Sequence, residues 1–236
     1  ITKESPEYWG LAPICTDEQA LIAIKMGKRK PRTFAQIKKL TKINDDEYLQ
    51  KQLEEMSNNG LIEYNWENPQ HEKQYVLPMY VPGSAEFTNM NADVLRDHPE
   101  MGRFFERMSR LPLEKVTPMV PLGGAGIGMH VIPVEKAIEM ENHSVSVEHI
   151  SHWLDKYEGK YAASPCSCRR SRVTYDEGCA DDPEGWCIAV GDMADYVVET
   201  NKGGRYITRE EVYEILEQAE ENGFVADSDI DWDHLS

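Results

Sequence analysis

The chain has 236 residues, 40% of them hydrophobic and 28% charged, which is enough apolar material for one ordinary core or two small ones. Its 25 Lys and Arg against 42 Asp and Glu leave a formal charge of -17, a field that repels phosphate backbones and argues against nucleic acid as a partner. No run of about 18 apolar residues exists, and the opening ITKESPEYWG lacks the basic-then-apolar pattern of a secretory signal; a soluble cytoplasmic protein with no membrane partner is expected.

Residues from about 16 to 83 read as a winged helix-turn-helix, which assigns 1–83 to a first domain. Thr16 can cap a helix over DEQALIAIKMG, in which Leu21, Ile22 and Ile24 sit at helical spacing and Gly27 is the stop. A second helix fits TFAQIKKLT. A third fits DDEYLQKQLEEMSNNG, with Leu49, Leu53 and Met56 on one face and Gly60 as its end. LIEYNW and KQYVLPMYV, on either side of the polar loop ENPQHE, have the pattern of a two-stranded wing. Such modules often enter DNA with the third helix, but here that helix carries Asp45, Asp46, Glu47, Glu54 and Glu55 against Lys51, which does not suit a major groove. The eight Lys or Arg between Lys25 and Lys42, with no acid among them, read as a protein-docking or simply solvated face.

Residues 84–150 form a connecting segment. A helix is predicted over ADVLRDHPEMGRFFERMSRL, packing Phe104, Phe105 and Met108, before Pro112, Pro118 and Pro121 break the chain. LGGAGIGM, residues 122–129, lacks the spacing of a dinucleotide fingerprint and follows prolines where a strand is required. It reads as a loop or as a close-approach site beside a partner subunit. HVIPVEKAIEM resembles a strand leading into a short helix. His143, His149 and His152 have no carboxylate pair at ligand spacing and read as helix-face residues. The tail acids Asp227, Asp229, Asp231 and Asp233 lack the Gly and closing Glu of a calcium loop and read as a solvated linker.

Residues 151–236 hold the most informative stretch. Five cysteines is an odd number; four fall within 22 residues and Cys15 stands alone. Without a secretory signal this clustering favours metal over disulfides. Cys166, Cys168, Cys179 and Cys187 give C-x-C-x10-C-x7-C, four thiolates on a returning loop, the donor set of an iron–sulfur cluster. Zinc competes, although structural zinc knuckles favour C-x2-C pairs. Arg169, Arg170 and Arg172 adjoin the first pair, where they could offset cluster charge, orient partner acids or serve only the surface. Gly178 and Gly185 free the backbone to bend beside Cys179 and Cys187. IAVGDMADYVVET is predicted as a helix whose N-terminus points toward the sulfurs. TREEVYEILEQAEENG is predicted as a covering helix with the capping pair Thr208 and Glu211.

Beyond these patterns, the run of YWGLAP, NWENPQHEKQYVLPMYVPGSAEFTNMN, GGAGIGMHVIPVEKAIEMEN, SPCSCRR and GDMADYVVETNKGGRYITREE resembles the N-terminal part of bacterial, mainly anaerobic, pyridine nucleotide-disulfide oxidoreductase/dicluster-binding proteins, over almost the whole chain. The resemblance implies one 4Fe-4S cluster on Cys166, Cys168, Cys179 and Cys187. It places FAD and NAD(P) only in a downstream part or partner subunit. Cys15 is then the one thiol left over, too few for a second cluster, and reads as a structural thiol.

The expectation is an α+β, mainly helical chain: a winged helix-turn-helix domain followed by a small helical iron–sulfur cluster domain. It would relay single electrons as a component of an oxidoreductase rather than a complete catalytic unit, with no general acid, base or nucleophile. Its expected partners are a flavoprotein or NAD(P) reductase and a ferredoxin-like protein, with a homo-oligomer as a further option and DNA set aside. The alternative is a redox-sensing iron–sulfur regulator that binds DNA through the winged helix.

Overall fold

The computed structural model describes residues 10–81, 83–106, 108, 130–131, 150–174, 176, 184–222 and 227–228. Helix predominates, joined by small antiparallel sheets, so the chain is α+β and mainly helical.

The first three helices are set by their caps. Thr16 and Gln19 form a reciprocal capping box at the start of α1 (Asp17–Met26), and Thr33 and Gln36 repeat it at α2 (Phe34–Thr41), which follows the short strand β1 (Arg32–Thr33). Asp45 accepts the N–H of Tyr48 at 3.0 Å and opens α3 (Asp46–Asn58). Leu49, Leu53 and Met56 lie on one face of α3, and all are fully buried. Strands β2 (Glu63–Asn65) and β3 (Gln74–Val76) pair antiparallel with Tyr64 opposite Tyr75, and β1 joins the other edge in the order β1-β3-β2. In α1 the inward face belongs to Ile22, Ala23 and Met26, so Leu21 and Ile24 are turned out, 60% and 72% exposed.

The single helix predicted from residue 92 to 111 is corrected. After α4 (Ser84–Met90), α5 (Ala92–Asp97) stops at His98, whose φ of -135° and ψ of 66° are non-helical because the next residue, Pro99, disfavours helical geometry. Helix resumes over 100–106, with Met101, Phe104 and Phe105 buried. The glycine segment 122–129, the three prolines, His143 and His149 lie outside the described residues, as does all of HVIPVEKAIEM after its first two residues, His130–Val131, which form β4.

The C-terminal part is built on a sheet. Here α6 (Ile150–Lys156) leads into β5 (Tyr161–Ser164), then α7 (Ser167–Val173), β6 (Cys187–Val190), α8 (Asp192–Glu199), β7 (Arg205–Ile207), α9 (Arg209–Glu221) and β8 (Asp227–Ser228), the last paired with β4. The order β6-β5-β7 puts β5 in the centre, and all four of its residues are buried. Alternation explains that: Ala162 faces the main core with Ala194, Tyr196 and Val197 of α8, whereas Tyr161 and Ala163 face a second cluster with Leu154, Ile207 and Val212. The helix predicted from Ile188 onward is also corrected, since Ile188–Val190 extend as strand and α8 begins only at Asp192.

The main core runs from Ile14 and Ile37 through to α8, so the first helices and α8 share it. Polar ties cross the same joint: Tyr64 Oη donates to Glu199 at 2.7 Å, Trp66 N–H to Asp192 at 2.8 Å, and Lys202 Nζ to the Ser57 and Asn58 carbonyls at 2.8 Å each. No described helix is long and apolar enough to cross a membrane.

Candidate metal centre

Three of the four candidate thiols converge where β5, β6 and α7 meet. In the β5–β6 ladder Ser164 stands opposite Cys187, and Ser164 Oγ donates to the Cys187 carbonyl at 3.5 Å. Two residues past Ser164, Cys166 takes the N-cap position of α7, which places Cys168 in the first turn of that helix. Ser171 Oγ donates to the Cys168 carbonyl at 2.9 Å, and Ser167 Oγ lies 4.0 Å from the Cys168 sulfur.

The thiols act on one another. Cys166 is held well below the ordinary thiol range, first by hydrogen bonds from Cys168 and Cys187, against the opposing effect of burial, and further by the N–H and the positive charge of Arg169. Cys168 and Cys187 are pushed above that range, mainly because each donates to the Cys166 sulfur; for Cys187 the Ser167 N–H works the other way. The start of α7 therefore turns N–H groups toward the sulfurs. That corrects the expectation that α8 does so, since α8 starts at the opposite end of β6, where Asp192 pairs with Lys160 at 3.0 Å.

The three arginines have separate roles. Arg169 lies 5.3 Å from the Trp186 ring, Arg170 pairs with Glu184 at 2.6 Å and donates to the Met90 carbonyl, and Arg172 pairs with Glu106 at 3.1 Å. Arg170 and Arg172 thus tie α7 to the rest of the chain. Gly102 allows this fit, because a Cβ there would stand 2.2 Å from Thr174 Oγ1 and 2.7 Å from the Ser171 carbonyl oxygen.

Cys179 and Gly178 lie outside the described residues. Among the described residues no group of three or more His, Cys, Asp and Glu is arranged to hold a metal ion. Cys168 and Cys187 each lie within hydrogen-bonding reach of Cys166. Cys15, like Cys187, packs against the main core; its sulfur is 3.5 Å from the Leu11 carbonyl oxygen, and burial, then Asp17, pushes its thiol up. His152 makes an edge-on contact with Trp153, centroids 5.4 Å apart.

Two features around the site were missed in the sequence. One is the serine set Ser164, Ser167 and Ser171, all buried. The other is the strand pair itself, for which YAAS and CIAV, each next to Pro or Gly, were the available signal. Comparison with protein-family models, curated proteins and solved structures finds no match in any of the three.

Proposed function

We propose that the chain is an iron–sulfur electron-transfer module in which Cys166, Cys168, Cys179 and Cys187 hold one 4Fe-4S cluster. The observation that carries this reading is the meeting of three thiols at the β5–β6 end, with the fourth cysteine in the segment that joins α7 to β6. The donor set suits the group: all four are thiols, and Cys166 is favoured as thiolate first by the Cys168 and Cys187 thiols and further by the N–H and charge of Arg169. When bound, such a cluster supplies reversible one-electron storage. The chain's own residues hold it, offset its negative charge through Arg169 and the first N–H groups of α7, and leave Cys168 at the surface, where a partner can approach.

Within the same reading, the three-helix and β1-β3-β2 segment is a winged helix used for docking. Its element order of helix, strand, two helices and hairpin supports that assignment. FAD and NAD(P) belong to a following part or partner subunit, as the resemblance to dicluster-binding oxidoreductases implies, and a ferredoxin-like protein is the second partner.

A structural zinc site is favoured by one observation: Cys168 and Cys187 both lie within hydrogen-bonding reach of Cys166, as sulfurs about 3.8 Å apart around one tetrahedral ion would. In a cubane each thiolate takes a different iron, so these thiols would have to spread.

Iron, zinc and acid-labile sulfide should be measured on anaerobically purified protein, with an electron paramagnetic resonance spectrum after dithionite reduction. About four irons and four sulfides per chain with a reduced-state signal is the expected result. About one zinc and no sulfide overturns it.

A further inference from the structure

Beside the joint between β2, β3 and α8, Glu54, Tyr64, Lys73, Tyr75 and Glu199 line a cavity of about 290 Å³. Its aromatic walls stand nearly at right angles. Tyr64 meets Tyr75 at 77° with centroids 6.2 Å apart; Trp66, outside the cavity lining, meets the Tyr64 ring at 78° and 5.5 Å. Into this corner the chain inserts its own cation: Lys73 Nζ lies 3.5 Å from the Tyr64 centroid, 5.4 Å from that of Trp66 and 5.8 Å from that of Tyr75. Two carboxylates add a negative field, and Glu199 also accepts the Tyr64 hydroxyl at 2.7 Å.

We propose that this corner is a binding site for a quaternary or fully methylated ammonium group, with Lys73 as its built-in competitor. The ring faces attract any cation, and the carboxylates strengthen that attraction. What separates one cation from another is the cost of drying it. A lysine ammonium is compact and strongly hydrated, and its three N–H groups need acceptors. Among the described residues no hydrogen bond accepts from Lys73, and burial lowers its pKa against the opposing pull of Glu199 and Glu54. A quaternary ammonium has no N–H to satisfy and gives up far less hydration, so the same walls suit it better than the side chain that fills them. Lys73 lies at the end of the 66–73 loop, just before β3, and is half-buried.

Calorimetric titration with choline, and with 3,3-dimethylbutanol as its uncharged isostere, tests this on the intact chain and on Lys73→Ala. The wild-type chain is expected to bind choline saturably and the alcohol at least about tenfold more weakly, since only the charge differs. Lys73→Ala is expected to tighten choline about tenfold by removing the tethered competitor, and Glu199→Gln in that background to weaken it again. Equal binding of the alcohol overturns the proposal. So does a wild-type chain that binds no choline, or a Lys73→Ala chain that binds it no more tightly.

Discussion

Ser164 and Cys187 stand opposite each other as the last pair of the β5–β6 ladder, and that register brings Cys187 to Cys166. A slip of one residue would turn Cys187 to the other face of the sheet, because side chains alternate along a strand. Metal binding should therefore depend on Cys166, Cys168 and Cys187 together. Replacing any one with Ser is expected to reduce bound iron and sulfide to background, whereas Cys15→Ala, whose thiol instead donates to the Leu11 carbonyl, leaves both at the wild-type level. A Cys187→Ser protein with full metal content would exclude this site.

The elements of the first segment were legible because their punctuation is local. Thr16, Thr33 and Asp45 act as caps where the sequence allows them, and Gly27 and Gly60 stop their helices. The pairing of β5 with β6 was not legible, since it joins residues more than twenty positions apart and each strand has only four residues. The inward face of α1 was not legible for a similar reason. Leu21, Ile22 and Ile24 all fit a helical period, and only the packing of the other helices decides that Ile22 turns inward. The cysteines could be read as a group from spacing alone, but the approach of Cys187 to Cys166 depends on where the two strands end.

Gly60 carries two constraints at once. Its φ is +84°, and an added Cβ would come within 2.6 Å of the Thr88 nitrogen and 2.7 Å of the Phe87 carbonyl carbon, both backbone atoms of α4. Neither can move without shifting that helix. Gly60→Ala is thus expected to destabilise the fold by about 2–4 kcal/mol, from left-handed strain plus displacement of α4. Urea unfolding should show a lower midpoint with an unchanged slope. A midpoint equal to that of the wild type would mean that α4 does not lie against this turn.

Tyr196 is fully buried, and its hydroxyl spans the joint, donating to the Ile62 carbonyl at 2.8 Å with the Ser57 carbonyl at 3.2 Å. Tyr196→Phe keeps the ring contacts with Tyr64 and Phe87 but leaves the Ile62 carbonyl without this donor. The expected cost is about 1–2 kcal/mol, read as a lower unfolding midpoint, with metal content unchanged. Loss of metal in this variant would show that the joint and the thiol site are coupled.

Lys202 should make stability depend on pH in a direction opposite to that of a surface lysine in an ion pair. Its side chain is fully buried, its Nζ donates to the Ser57 and Asn58 carbonyls at the end of α3, and it lies 5.2 Å from the Tyr196 ring. The carbonyls at a helix C-terminus favour a cation there, but burial pushes the lysine pKa down from 10.5 to about 7. Between those two values the unfolded chain holds a proton that the folded chain has released, so stability rises as pH increases from about 7 toward 10.5. Below about 7 both states are protonated, and the full cost of the buried charge remains. Lys202→Met removes this linkage together with the two hydrogen bonds. Relative to the wild type it should lose a few kcal/mol at pH 9.5, where the neutral amine still donates, and less at pH 6, where the substitution also removes the charge penalty. Denaturant unfolding at the two pH values measures the difference between variants, from which titrations elsewhere in the chain cancel. A deficit equal at both pH values would mean that Lys202 keeps its ordinary pKa inside the fold.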